Sequence, residues 1–124
     1  MGELKLRAHI DAELSQAQLE ELTSRLTEKR CELADRVERL EQQMLTKDNC
    51  SHADAADAAS AQENRLRARG MAEQHQQIIM EIDAAFRRLE GGIYGVSETT
   101  GDPIEYDRLA LIPWARNGAD DEEQ

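Results

Sequence analysis

Large apolar side chains in the first half of the chain recur as Leu19, Leu22, Leu26, Leu33, Val37, Leu40 and Met44, in steps of 3, 4, 7, 4, 3 and 4. That is a narrow seam, the width a coiled-coil partner covers, rather than the broad stripe of a helix lying on a globular core. Just ahead of it, Ser15 and Gln18 match a capping box with Leu14 and Leu19 at the staple positions, so a helix is predicted to begin there. Glu21 with Arg25 and Glu32 with Arg36 place opposite charges four residues apart on the solvated side. The seam stops near Leu45, and residues 46–61 (TKDNCSHADAADAASA) carry almost no large apolar side chain, which predicts a tip or turn. A second seam follows, Leu66, Met71, His75, Ile78, Ile82, Phe86 and Leu89, ended by Glu90, Gly91 and Gly92. Glycine adopts the left-handed conformation that closes helices. Two helices joined by a short polar link pack antiparallel, each about 28 residues or about 42 Å at 1.5 Å per residue.

Ahead of this hairpin, Leu4, Leu6, Ile10 and Leu14 have loosely helical spacing, predicting a short, weakly amphipathic N-terminal helix within residues 1–14. Beyond it the pattern changes to short β-like runs at 93–96 and 104–106, separated by the turn formers Thr100, Gly101, Asp102 and Pro103. The expected organisation is mainly α: an N-terminal helical segment (1–14), a long coiled-coil hairpin (15–90) with its tip at 46–61, a small base lobe (91–116) and an acidic tail (117–124). Trp114, Tyr94, Ile104, Leu109 and Leu111 are the expected lobe core.

Composition sharpens this division. The four aromatic residues, Phe86, Tyr94, Tyr106 and Trp114, all lie between 86 and 114, both prolines follow residue 100, and Gly70 is the one glycine between residues 3 and 90. So few large side chains over 1–90 argue against a thick globular core. The net charge is −11, of which residues 91–124, with 8 acids and 2 bases, supply −6. A chain this acidic is repelled by phosphates, which disfavours direct DNA binding. With no run near 18 apolar residues and no signal-peptide core at the start, a cytoplasmic protein without a membrane partner is expected. No P-loop, dinucleotide-binding glycine pattern or nucleophile with a recognisable base is present, so an enzyme is not expected. Cys50, His52 and Asp54 are adjacent donors without a distant second pair, a poor metal site. Cys31 reads as a small packing residue beside the first seam, His75 as a packed seam histidine, and Gly70 as an interruption costing about 1 kcal/mol relative to alanine.

Taken in order, these features resemble the DksA/TraR family over roughly residues 15–121. The family's acidic tip run, D-x-x-D-x-A, matches Asp54, Asp57 and Ala59. Its lobe signature matches Gly92, Tyr94, Gly95, Ser97, Thr100, Gly101, Ile104, Arg108, Leu109 and Pro113. The resemblance implies a regulator that binds RNA polymerase directly, inserting its coiled-coil tip into the secondary channel to alter promoter open-complex stability. Asp54, Asp57 and Ala59 would act at the tip, Arg87, Arg88 and Arg108 would contact the channel rim, and the chain would act as a monomer.

The departures from the family pattern carry expectations too. The four positions matching the family's zinc cysteines are Ser97, Thr100, Gly118 and Asp121, a set too poor in thiolate or imidazole for zinc. A degenerate, metal-free version of the zinc-finger-like lobe is expected, with Trp114 and Ile112 enlarging its apolar core in compensation. The positions matching the basic residues that hold the alarmone ppGpp are Glu81, Ile112 and Glu122, which implies alarmone-independent action or action through a different surface. The competing reading is a non-catalytic helical-hairpin adaptor, or a self-associating coiled coil, that no longer acts on polymerase.

Overall fold

The computed structural model describes residues 8–9, 12–45 and 55–118, with the backbone alone for 55–57. It is mainly helical. Helix α1 spans Gln16–Leu45, α2 spans Ala55–Gly91 and a short α3 spans Tyr106–Leu111. The chain divides into two compact units, one of Met1–Lys29 with Met80–Gln124, the other of Arg30–Ile79.

The start of α1 is the predicted capping box. Gln18 N–H donates to Ser15 Oγ (3.1 Å) and Ser15 N–H donates to Gln18 Oε1 (3.0 Å), so two donors at the helix start satisfy each other's side chains. The four-residue ion pairs form as well, Arg25 to Glu21 at 3.1 Å and Arg36 to Glu32 at 2.8 Å, each half in solvent and worth a few tenths of a kcal/mol. At its far end α2 closes in a Schellman turn. Gly92 takes φ 71°, Ile93 N–H donates to Arg88 O (2.9 Å) and Gly92 N–H to Leu89 O (3.3 Å).

In the unit of Arg30–Ile79, α1 buries Leu33 and Val37 and α2 buries Ala68 and Ala72. Leu66 and Met71, expected on the second seam, are instead 60% and 44% exposed. The seam runs through Ala61, Arg65, Ala68, Ala72, His75 and Ile79, each buried or half-buried, at strict steps of 4, 3, 4, 3 and 4. Alanines fill the positions where larger residues were sought. Alanine also explains the early start of α2. Residues 55–61, within the expected tip, are helical, because a stretch without large apolar side chains is still a good helix when it is rich in alanine. Cys31 is exposed rather than packed.

In the other unit, Leu19, Leu22 and Leu26 of α1 are buried together with Ile82, Ala84, Ala85, Arg88 and Leu89 of α2, and with Tyr94, Ser97, Ile104, Leu109 and Ala115 of the lobe. The expected N-terminal helix is absent among the described residues: Ala8 pairs in parallel with Tyr94, His9 N–H donates to Tyr94 O (2.7 Å), and residues 12–15 are irregular. The lobe holds no regular strand among the described residues. One antiparallel bridge joins Val96 to Pro103, with Ser97 N–H bonded to Asp102 O and Ile104 N–H to Gly95 O on either side, so the missing proline donor is not needed. The run 104–106 gives way to α3. That helix turns Leu109 inward and leaves Leu111 81% exposed, because residues two apart lie on opposite helix faces, whereas three or four apart share one.

Two glycines predict opposite outcomes. A Cβ at Gly70 meets nothing within 4 Å, so Gly70→Ala is expected to stabilise α2 by about 1 kcal/mol and raise the melting temperature. Gly95 has φ +96° and its Cβ would lie 2.8 Å from the Ala12 Cβ and 3.1 Å from Leu14 Cδ1, so Gly95→Ala is expected to lower it.

Candidate functional site

Helix α2 takes in the latter part of the acidic run. Asp54 falls outside the described residues, Asp57 has its backbone in the first turn of the helix, and Ala59 is exposed two residues further on. A carboxylate in a first helical turn also meets the positive end of the helix dipole. Cys50 and His52 lie outside the described residues.

Among the three arginines expected at a rim, Arg87 alone is exposed. Arg88 corrects that expectation: its side chain is 9% exposed, and its Nη2 reaches the carbonyls of Trp114 (3.3 Å) and Ala115 (3.5 Å), with Glu98 4.0 Å from Nη1. Burial pulls the Arg88 pKa below its ordinary value, partly offset by Glu98. Arg108 is half-buried, and its Nε donates to Asn117 O at 2.9 Å.

Arg88 of α2 and Arg108 of α3 therefore both fasten one segment, 114–117. A third, Arg116, does the same from within the segment. Its Nε donates to Glu81 at 2.6 Å and its Nη1 lies 3.3 Å from Glu98, while Glu98 N–H donates to Arg116 O at 2.9 Å. The Glu81 hydrogen bond, first among its causes, raises the Arg116 pKa. Glu81, the described carboxylate at an alarmone-matching position, is thus occupied by a cation from its own chain; Ile112 is half-buried and Glu122 lies outside the described residues. Arg25 adds a further tie, donating through Nη1 to Ala110 O (2.7 Å) at the end of α3. Below these, Tyr94 is fully buried and its hydroxyl donates to Pro113 O at 2.7 Å.

The zinc-matching positions are filled by different chemistry. Ser97 is buried and its hydroxyl is engaged by Thr99, Thr100 and Asn117. Thr100 is exposed and its Oγ1 accepts the Asp102 N–H (3.2 Å). Gly118 offers no side-chain donor, and Asp121 lies outside the described residues. Among the described residues, no three His, Cys, Asp or Glu side chains gather where a metal could sit. Hydroxyls already committed to hydrogen bonds do not fit zinc, which takes thiolate, imidazole or carboxylate. Trp114 and Ile112, expected to enlarge the apolar core, are half-buried. Arg116 and Asn117 were missed from sequence. The available signal was Asn117 itself, a residue type that caps turns with its side chain, lying beside a zinc-matching position.

No family model matches the chain. It is 38% identical over 80 residues to the RNA polymerase-binding transcription factor DksA of Caulobacter vibrioides, which covers 64% of this chain and 56% of that protein. General stress protein 16O of Bacillus subtilis is 33% identical over 61 residues, 49% of this chain and 37% of that one. The chain thus spans 56% and 37% of the lengths of these two curated relatives. Among solved structures, transcription factor DksA2 from Pseudomonas aeruginosa aligns with a TM-score of 0.77 and 31% identity, covering 88% of this chain and 83% of that one. No helix among the described residues is long and apolar enough to cross a membrane.

Proposed function

This chain belongs to the DksA family, and from that membership we propose that it is a non-catalytic transcription regulator that binds RNA polymerase, entering the secondary channel with the tip of its helical hairpin to shift promoter open-complex stability. The observation that supports the reading is the tip run Asp54, Asp57 and Ala59 in the sequence, together with the Asp57 backbone in the first turn of α2 and a DksA-like fold. Exposed Ala59 lets a partner backbone approach closely, and the carboxylates bring negative charge toward a centre that works with metal ions and basic side chains. Arg87 is the arginine left free to meet the channel rim.

The reading separates this chain from alarmone-dependent relatives. With Glu81 held by Arg116 and no basic residue at the matching positions, ppGpp finds no cationic seat on this surface. Promoter effects in purified transcription are therefore expected to be equal with and without ppGpp; a several-fold synergy would contradict this.

The location of the tip is tested by a cleavage reagent tethered to Ala59→Cys, with Cys31 and Cys50 replaced by serine. Cleavage of polymerase chains lining the secondary channel is expected. Cleavage confined to the outer surface would overturn the channel reading, and failure to bind polymerase would favour the adaptor.

A further inference from the structure

The turn over residues 97–100 is built from donors and acceptors whose roles are forced. The Ser97 hydroxyl oxygen, in a residue 3% exposed, accepts the N–H of Thr99 (3.1 Å) and of Thr100 (3.2 Å). Its two lone pairs are then used, and its hydrogen is left to donate to Asn117 Oδ1 at 3.0 Å. Thr99 gives the same oxygen two more donors, its N–H at 3.3 Å and its Oγ1 hydroxyl at 3.1 Å. A backbone N–H can only donate, so the carboxamide atom facing it is the oxygen. One oxygen from the C-terminal segment therefore gathers three hydrogens from a single turn. The Asn117 backbone is held in turn by Arg108 (2.9 Å) and, through its neighbour, by the Glu98 N–H to Arg116 O bond (2.9 Å).

We propose that Asn117 Oδ1 joins the 97–100 turn to the C-terminal segment in the place where a zinc lobe would use a metal ion, so that this lobe folds without divalent metal or thiolate. The polarity is inverted. A metal gathers lone pairs from two ligand pairs, whereas here one lone-pair-bearing oxygen gathers hydrogens, and Ser97 relays two backbone donors to it. The join has no cysteine at these positions, so it is indifferent to chelators and to thiol oxidation.

The test uses the full chain as wild type, Asn117→Ala and Asn117→Asp, with amide hydrogen exchange at Thr99 and Thr100 and thermal melting. Wild type is expected to keep its melting temperature and its protection after exhaustive treatment with EDTA. Asn117→Ala is expected to lose about tenfold or more of the Thr99 protection. Asn117→Asp, which offers an acceptor in the same place, is expected to retain protection at neutral pH. Wild-type protection in Asn117→Ala would overturn the proposal, as would Asn117→Asp failing to match wild type at neutral pH, or an EDTA-induced fall in wild-type melting that zinc restores. Should Asn117→Ala not fold, the aspartate variant and the chelator series decide the matter.

Discussion

Tyr94→Ala is expected to destabilise the lobe by about 3–5 kcal/mol, the range for deleting a fully buried aromatic side chain. The size of the effect follows from what surrounds it. Tyr94 takes part in the Ala8 bridge through its backbone, precedes the tightly packed Gly95, and ties Pro113 to the lobe through its hydroxyl. Tyr94→Phe isolates the last of these. It keeps the ring and removes one donor, leaving the Pro113 carbonyl without this bond, so a loss of about 1 kcal/mol is expected. Denaturant unfolding of the three proteins measures both values, and a Tyr94→Ala midpoint close to wild type would contradict the packing account.

The same residue sets an alkaline limit. Burial raises the Tyr94 pKa well above its ordinary 10.0, with Arg88 opposing. The unfolded phenol therefore ionises first, and the stabilisation is complete below about pH 10 and is lost as pH climbs toward the folded pKa. Tyr94→Phe is expected to remove that part of the alkaline slope while leaving the neutral range flat.

Asp57→Asn is expected to abolish the effect on transcription while leaving the fold and polymerase binding in place. The substitution keeps the shape and removes one charge. Two unit charges about 8 Å apart interact by about 2 kcal/mol at an effective dielectric of ~20, which corresponds to about 30-fold in a rate. Lost stability is small by comparison, because a carboxylate in a first helical turn contributes about 0.3–1 kcal/mol through the helix dipole. The large functional and small structural effects make this variant informative where a core substitution would not be.

The hairpin was legible wherever leucine marked it. Leu19, Leu22, Leu26, Leu33 and Val37 declare the α1 seam because large side chains at 3.5-residue spacing have no other economical use. The matching stretch of α2 was not, since Ala68 and Ala72 bury little area and look the same as surface alanines. Leu66 and Met71 were more conspicuous and pointed to the wrong face. In the lobe, Tyr94, Ile104 and Leu109 are core as expected, whereas Leu111 is not, because α3 over Tyr106–Leu111 puts it on the face opposite Leu109. Glu105, with no side-chain cap bond to α3, gave no start signal. The arginines show the same limit at the candidate site: Arg88 and Arg108 read as surface charge, and only the fold reveals the carbonyls that hold them. The Asn117 join leaves little trace in the sequence, because asparagine is common in turns and its partners Ser97 and Thr99 lie 20 and 18 residues away.

If a charge in the first turn of α2 acts inside polymerase, it is read out in the lifetime of an intrinsically short-lived promoter open complex, measured with wild type and with Asp57→Asn while binding to polymerase is followed in parallel. Wild type is expected to change the lifetime, and Asp57→Asn to bind comparably and leave it at the factor-free value. An Asp57→Asn protein that binds and changes the lifetime as wild type does would contradict that action.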